Sequence, residues 1–437
     1  MYSWRNWSGL HHATPENIFF PETEEQLTAF IQKAAEEHKF IRTVGSAHSF
    51  TPLVKSNSLL VSLDKMQGLI DYDIESLNAR LWAGTKLYQA GEILFEKGMA
   101  MENMGDIDRQ SLAGIISTGT HGTGVDYGTI STQVEELTFI NGLGEKITCS
   151  LVENPEIFRA AAVSLGVLGV ITRIKFKLVP SYKLTYSQSK ESLSSVLTKL
   201  ENYNSSNRNF EFYFFPHTGK VQTKFINETN LKPQKRSFSR YLNDVILENL
   251  AFKGLSEYVR IFPKKAPQIS NLCINLVSEL QKVNYSHKIF AVPRWVKFQE
   301  MEYNIPSENF QEAIQEVDEV IRKEKIQTHF PIECRFVKKD NLMLSPATGR
   351  DSAYIAVHQY KGMEYESYFR KMEEIFLKYN GRPHWGKLHF LEEKDFSTLY
   401  PEWDTFKSIR EKMDPNGLFL SPYMTSIFKS QTKSKVI

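Results

Sequence analysis

Residues 105–124 read GDIDRQSLAGIISTGTHGTG, where Gly105, Gly114, Gly119, Gly122 and Gly124 punctuate a run of small hydroxyl residues. Glycines leave backbone amides uncovered, so successive N–H groups, joined by the hydroxyls of Ser117, Thr118 and Thr120, make a concave donor surface suited to a pyrophosphate. The spacing is neither the GxGxxG of a dinucleotide turn nor a phosphate loop ending in GK[ST]. From the residues alone two readings stand, a phosphate cradle or a structural glycine-rich turn.

Outward from this stretch the chain alternates helix and strand signals. Toward the N-terminus, RTVGSAHSF (42–50) is an extended run that stops at Gly45 and sets His48 among the small residues Gly45, Ser46, Ala47 and Ser49. The strand-like runs IRTVG and NSLLVSLD flank it, so His48 is expected in a loop at a strand end, where chemistry tends to lie. Thr23 and Gln26 have capping-box spacing, and Leu27, Phe30, Ile31 and Ala34 share one face of a helix expected to end near His38. Toward the C-terminus, NPEIFRAAAVSLG predicts a second helix, capped by Asn154, with Pro155 in its first turn and Gly166 just past its end. ITRIKFKL then alternates: Thr172, Ile174, Phe176 and Leu178 on one face, Arg173, Lys175 and Lys177 on the other, a half-buried strand.

After Pro180 the texture turns rich in Ser and Asn before the aromatic strand FEFYFF, which places a domain boundary near residue 180. A basic patch, Lys232, Lys235, Arg236 and Arg240, precedes a helix predicted over 241–260. It reads as a solvated surface, with a membrane or partner contact as the alternative. The tail KSQTKSKVI is expected to fray. No repeat recurs at a fixed period.

The 437 residues, 41% of them hydrophobic, can bury a large core in two or three domains. The 53 Lys and Arg nearly balance the 51 Asp and Glu, so no global field draws the chain to nucleic acid. Cys149, Cys273 and Cys334 are too few and too scattered for a disulfide framework or a metal knuckle, and a reducing cytoplasm fits them. No apolar run approaches the ~20 residues that span a bilayer, although peripheral membrane contact stays open.

Several motifs in order, VGSAHSF, GDIDRQSLAGIISTGTHGTG, SLGVLGVITRI, EMEYNIP, IECRF and GRPHWGK, resemble the aldonolactone oxidase and alditol oxidase branch of the vanillyl-alcohol-oxidase flavoprotein family. The likeness runs from WRNWSG near the start to DPNGLFLSPY near the end. It implies an α+β, two-domain flavoprotein. Residues 1–180 would form an FAD-binding domain of two α/β subdomains (PCMH type). Residues 181–410 would form a mixed-sheet cap for the substrate, and 411–437 would return to the FAD domain.

By the same resemblance FAD is held at Thr43, Val44, Gly45, Ser46, Ala47, His48 and Ser49 from the first motif. The second motif adds Gly105, Asp106, Ser111, Gly114, Ser117, Thr118, Gly119, His121 and Gly122, and the third adds Val170 and Ile171. A histidine at the place of His48 commonly carries a covalent bond to the flavin 8α-methyl, which would explain the small neighbours. His121 is expected to support the phosphate loop rather than to catalyse. Ser111 reads either as a hydroxyl near the flavin or as a helix cap. Gly105, next to the flavin, would leave dioxygen a channel and favour an oxidase.

IECRF puts Glu333 and Arg335 two apart on a strand, hence on one face. Read blindly they are a surface ion pair; the resemblance makes them active-site residues together with Lys387 of GRPHWGK. Oxidising an alcohol by hydride transfer to flavin N5 leaves anionic charge on the ring, which Arg335 and Lys387 would stabilise. Glu333 would bind the hydroxyl and accept its proton. His384 and His389 lack a third ligand at zinc-like spacing, so no metal is expected, and no GxSxG elbow is present. The expected activity is oxidation of an aldono-1,4-lactone with dioxygen as acceptor and peroxide as product. A polyol substrate, a dehydrogenase using another acceptor, and a non-catalytic flavin- or sugar-binding protein remain as alternatives.

Overall fold

The computed structural model describes residues 2–234, 248–291 and 295–428. Lys235, Arg236 and Arg240 of the basic patch, and the start of the helix expected from 241, lie outside the described residues. Lys232 is exposed, and the helix runs over Glu248–Ile261.

The first half contains two sheets. Strands β1 (Asn17–Phe19), β2 (Ile41–Val44) and β3 (Leu59–Ser62) form a parallel sheet in the order β1-β3-β2, with helix α1 (Glu24–Glu36) crossing between β1 and β2. Thr23 caps α1 by accepting from Gln26 N at 3.3 Å, while the Gln26 side chain accepts from Glu22 N rather than from Thr23. Leu27, Ile31 and Ala34 are buried, Phe30 stacks on Phe19, and the helix gives way to a left-handed His38 (φ 52°).

Strands β4 (Leu69–Asp73), β5 (Asn78–Trp82), β6 (Val134–Asn141), β7 (Lys146–Ser150) and β8 (Gly169–Lys177) make an antiparallel sheet ordered β7-β6-β8-β5-β4. β8 buries Thr172, Ile174 and Phe176 and turns Arg173 and Lys175 partly to solvent, as its alternation requires. Helix α2 (Leu112–Ser117) lies in the glycine-rich stretch. Helix α3 (Pro155–Ala161) departs from expectation. Asn154 is left-handed (φ 54°) and gives its side-chain amide to Thr148 O at 3.0 Å instead of capping, and the helix stops before Gly166 is reached.

The second half is built on eight strands: β9 (Lys183–Ser192), β10 (Asn209–Phe215), β11 (Lys220–Glu228), β12 (Leu280–Tyr285), β13 (Phe298–Pro306), β14 (Ile332–Val337), β15 (Ser352–Tyr360) and β16 (Arg382–Pro383), ordered β12-β9-β11-β10-β14-β15-β13-β16. The chain is thus the two-domain α+β type expected, with one difference: the large sheet is antiparallel at every pairing, not mixed, because each strand pairs with a neighbour running the opposite way.

One face of this sheet, carrying Phe210, Phe212, Phe214, Met301, Ile305, Ile332, Cys334, Ile355 and Val357, is covered by helices α4 (Phe310–Lys323) and α5 (Glu366–Lys378) in a second core. Phe310, Ile314, Val317 and Ile321 of α4 are wholly buried, each contributing about 1.5–3 kcal/mol. The other face is buried too, yet it is polar. The second half also returns to the first core, at Leu342, Met343 and Leu344 and again at Trp385, Trp403, Phe406, Phe419 and Phe428.

The glycine-rich stretch stitches the halves together. Gly124 N donates to Phe336 O at 2.7 Å, Thr123 Oγ1 donates to Phe210 O at 2.6 Å, and Phe336 N donates back to Thr123 Oγ1 at 3.1 Å.

Candidate active site

Where β2 ends, its loop meets α2 across a cleft that encloses about 1020 Å³ including its open mouth. Thr43, Val44, Gly45, Ser46, Ala47, His48, Ser49, Ser111, Gly114, Ser117, Thr118 and Ile171 all line it. Arg42, Asp64, Gly84, Lys86 and Gly166, which sequence reasoning missed, line it as well. A Cβ on Gly45 would come within 2.4 Å of Ser111 Oγ, so glycine here answers to close approach of the two walls. Ala47 is held left-handed at φ 55°, its carbonyl accepting from Trp7 N at 2.8 Å. Such a conformation costs a non-glycine residue about 1–3 kcal/mol.

Ala47 thereby aims His48 at Trp7, with ring centroids 5.9 Å apart. Burial, aided by the charges of Lys387 and Lys86, pushes the His48 imidazole down to about 4, so at neutral pH it keeps a nitrogen lone pair. Arg42 donates to Leu53 O, Leu165 O, Gly166 O and Phe419 O, and burial pushes its guanidinium down to about 10 against the opposing pull of Asp414.

Thr43 Oγ1 is buried without a hydrogen-bond partner among the described residues, as a polar atom awaiting a ligand would be. The orphaned hydroxyl, the Gly45 approach and the hydroxyls of Ser117 and Thr118 fit a flavin dinucleotide.

The remaining expected contacts lie outside this lining. Val170 is buried in β8. Gly119 is left-handed at φ 67°. A Cβ on Gly122 would strike Met104 O at 2.3 Å. A Cβ on Gly105 would meet His121 O at 3.0 Å, so this glycine admits the neighbouring backbone. Asp106 and His121 join the polar face of the large sheet instead.

That face is assembled by strand register. Tyr213 and Glu211 of β10 lie opposite Glu333 and Arg335 of β14, while Glu300 of β13 faces His358 of β15. Arg335 Nη2 pairs with Glu333 Oε1 and with Asp106 Oδ1 at 2.7 Å, and its Nε donates to Glu211 Oε2 at 2.8 Å. Burial alone would lower the guanidinium's proton affinity, but Asp106, Glu333 and Glu211 together hold it well above its ordinary value. Lys224 reaches Glu211 at 2.9 Å and is raised against burial in the same way.

Lys387 Nζ sits 2.5 Å from Glu300 Oε2, and Glu300 Oε1 is 3.4 Å from His358 Nε2. Carboxylate and imidazole atoms of Glu300, Glu333 and His358 lie within 4.8 Å of one another, so Glu300 links Lys387 to the Glu333–Arg335 pair. Glu211, Tyr213, Glu300 and His358 are missed by sequence reasoning. Two glutamates at spacing two inside EMEYNIP were the available signal.

His121 donates through Nδ1 to Gly122 O at 2.8 Å, stacks on Tyr354 with centroids 3.6 Å apart, and meets Glu302 Oε1 at 3.2 Å through Nε2. Burial pushes the Glu302 carboxyl up, yet His121, Lys387 and His384 hold it far below its usual range. His384 and His389 are not partners: His389 Nε2 lies 3.0 Å from Tyr423 OH, while His384 groups with His121 and Glu302 within 4.8 Å. His384 Nδ1 accepts from Gly386 N at 3.0 Å, and burial pushes the ring down to about 3. A neutral ring with Nδ1 so occupied carries its hydrogen on Nε2, which suits donation to Glu302 better than ligation of an ion.

A family profile described as D-arabinono-1,4-lactone oxidase matches residues 174–427, and one described as FAD binding domain matches 15–150. The chain is 37% identical to an L-gulono-1,4-lactone dehydrogenase of Mycobacterium tuberculosis over 96% of its length and 97% of the relative's. It is 33% identical to an L-gulonolactone oxidase of Scyliorhinus torazame over 98% of each. Among solved structures, a cholesterol oxidase from B. sterolicum superposes with a TM-score of 0.80 over 98% of this chain and 96% of that one, at 16% identity, which speaks for the fold alone. The chain belongs to the D-arabinono-1,4-lactone oxidase family of FAD-binding oxidoreductases.

Proposed function

We propose that the protein oxidises an aldono-1,4-lactone at a ring hydroxyl, with dioxygen as acceptor and hydrogen peroxide as product. The observation that carries this reading is the convergence of Glu333, Arg335 and the Glu300-bound Lys387 on one polar sheet face, beside the cleft whose orphaned Thr43 hydroxyl fits the cofactor. Bound FAD supplies the hydride acceptor. Glu333 orients the hydroxyl and takes its proton, while Arg335 and Lys387 keep positive charge where negative charge develops, preorganised help that costs no rearrangement during reaction. Thr43, Ser117 and Thr118 hold the dinucleotide. His48, neutral and stacked on Trp7, is the point of covalent attachment.

The dioxygen reading rests on the oxidase names of several relatives, while the relatives from two strains of Mycobacterium tuberculosis are named dehydrogenases. Two cores support a division near residue 180 into an FAD-binding unit and a cap to about residue 410, with 411–437 returning to the FAD unit; Leu418, Phe419, Met424 and Phe428 of that last stretch pack in the first core, as do Trp385, Phe396 and Trp403 before it. Among the described residues no helix is long and apolar enough to cross a membrane, and the three thiols are unpaired, so the compartment proposed is the cytoplasm.

The test is a panel of aldonolactones and polyols scored for peroxide in air and for bleaching of the yellow protein without air. Protein that stays colourless after incubation with excess FAD sinks the reading, and turnover confined to polyols or to dye acceptors corrects substrate or acceptor. For His48, acid precipitation of His48→Ala should leave the flavin in solution; colour that still precipitates with the variant refutes the attachment.

A further inference from the structure

We propose that Tyr213 relays the substrate's hydroxyl proton from Glu333 to Asp106. The inference rests on Glu333 being the first acceptor, as in the reading above. Tyr213 OH lies 2.5 Å from Glu333 Oε1 and 3.2 Å from Asp106 Oδ2, and so bridges a catalytic strand to the glycine-rich loop of the other half. The same two carboxylates also share Arg335 Nη2. A phenol carries one hydrogen and satisfies one carboxylate at a time, so a bridged pair is completed when the other partner holds a proton.

Asp106, Glu211 and Glu333 bring carboxylate oxygens within 4.8 Å of one another around Arg335, so the acids on either side of Tyr213 lie within reach of one shared proton. Burial, then Asp106, Glu211 and Glu333, raise the Tyr213 hydroxyl well above its ordinary value, so it stays a phenol able to hand on a proton. Exposure sets the direction: the Glu333 side chain is 3% exposed and that of Asp106 16%, so the path runs from the dry floor toward water.

The step balances. The substrate O–H bond breaks and its proton goes to the Glu333 carboxylate. Glu333 then passes a proton to the Tyr213 oxygen as the original Tyr213 proton moves to Asp106 Oδ2. The phenol is regenerated, Glu333 is again a carboxylate and Asp106 is an acid.

Tyr213→Phe keeps the contact with Phe215 and Ile274, so the fold is expected to hold, checked by FAD content and thermal midpoint. Anaerobic flavin reduction by the lactone should slow about tenfold or more, with KM changed less than about twofold. The readout beyond activity is the infrared difference spectrum of substrate-reduced minus oxidised protein. The protonated-carboxyl band of the native protein should move to one new position in both Tyr213→Phe and Asp106→Asn, and the double variant should move it no further. Should Tyr213→Phe lose FAD, Asp106→Asn carries the same comparison. A native band and native rate in Tyr213→Phe, or a band untouched in Asp106→Asn, overturns the relay. Full activity in Glu333→Gln would instead overturn the reading beneath it.

Discussion

Replacing Arg335 with Met removes a guanidinium that holds Glu333, Asp106 and Glu211 at once. Breaking a single buried ion pair costs about 3–5 kcal/mol because a charge is left without compensation. Here three carboxylates lose their common partner, with Lys224 left beside Glu211, so at neutral pH the loss should reach that range. The pH dependence is the sharper part. Without Arg335, burial and mutual repulsion raise the folded-state carboxyl pKa values above the unfolded value of about 4. The folded variant then binds more protons than the unfolded chain, so its stability is greatest at low pH and is lost as pH rises, by about 1.4 kcal/mol per pH unit for each such group. One carboxyl raised past 7 makes the Arg335→Met penalty about 3 kcal/mol smaller at pH 5 than at pH 7. Urea unfolding of native and variant protein, followed through the six tryptophans at both pH values, measures this directly. A penalty below about 1 kcal/mol, or one equal at the two pH values, would refute the view that Arg335 is what keeps these acids ionised.

Arg42→Leu should cost about 3–5 kcal/mol, since four backbone carbonyls lose a charged donor, and Arg42→Lys should restore only part of it; unfolding within about 1 kcal/mol of native would show the carbonyls find other partners. Gly45→Ala should weaken FAD binding and lower stability by about 1–3 kcal/mol, with Ser111→Ala in the same chain recovering most of it, as a double-mutant cycle reads out. Glu302 is depressed in the folded protein, so it contributes stability that is present above its unfolded pKa and lost as pH falls; Glu302→Gln should lower stability near pH 7 and flatten the decline below about pH 5. Ala47→Gly should gain about 1 kcal/mol in thermal unfolding, and a loss would mean that the left-handed turn is not strained.

What the sequence disclosed was local. The α1 cap and stripe, the alternation of β8 and the shared face of Glu333 and Arg335 each depend on residues a few positions apart, where backbone geometry fixes the outcome. Glu211 and Arg335, 124 positions apart, meet because β10 and β14 pair in one register, and no local pattern carries register between distant strands. The same holds for Tyr213 against Asp106 and for Lys387 against Glu300. The resemblance places Asp106 and His121 at the cofactor through their loop; tertiary packing, which no local pattern carries, sets their side chains against Arg335 and Glu302 of the sheet. At Asn154 the residue type favoured a cap, but a carbonyl from the preceding strand competed successfully for its amide.

The stitches at Thr123 and Gly124 have a mechanical consequence. A clamshell motion of the halves would have to tear the loop's tail from Phe210 and Phe336, so the seam works as a splint and forbids gaping. The polar sheet face is thereby held in place against the glycine-rich loop, and motion that opens the site has to be local.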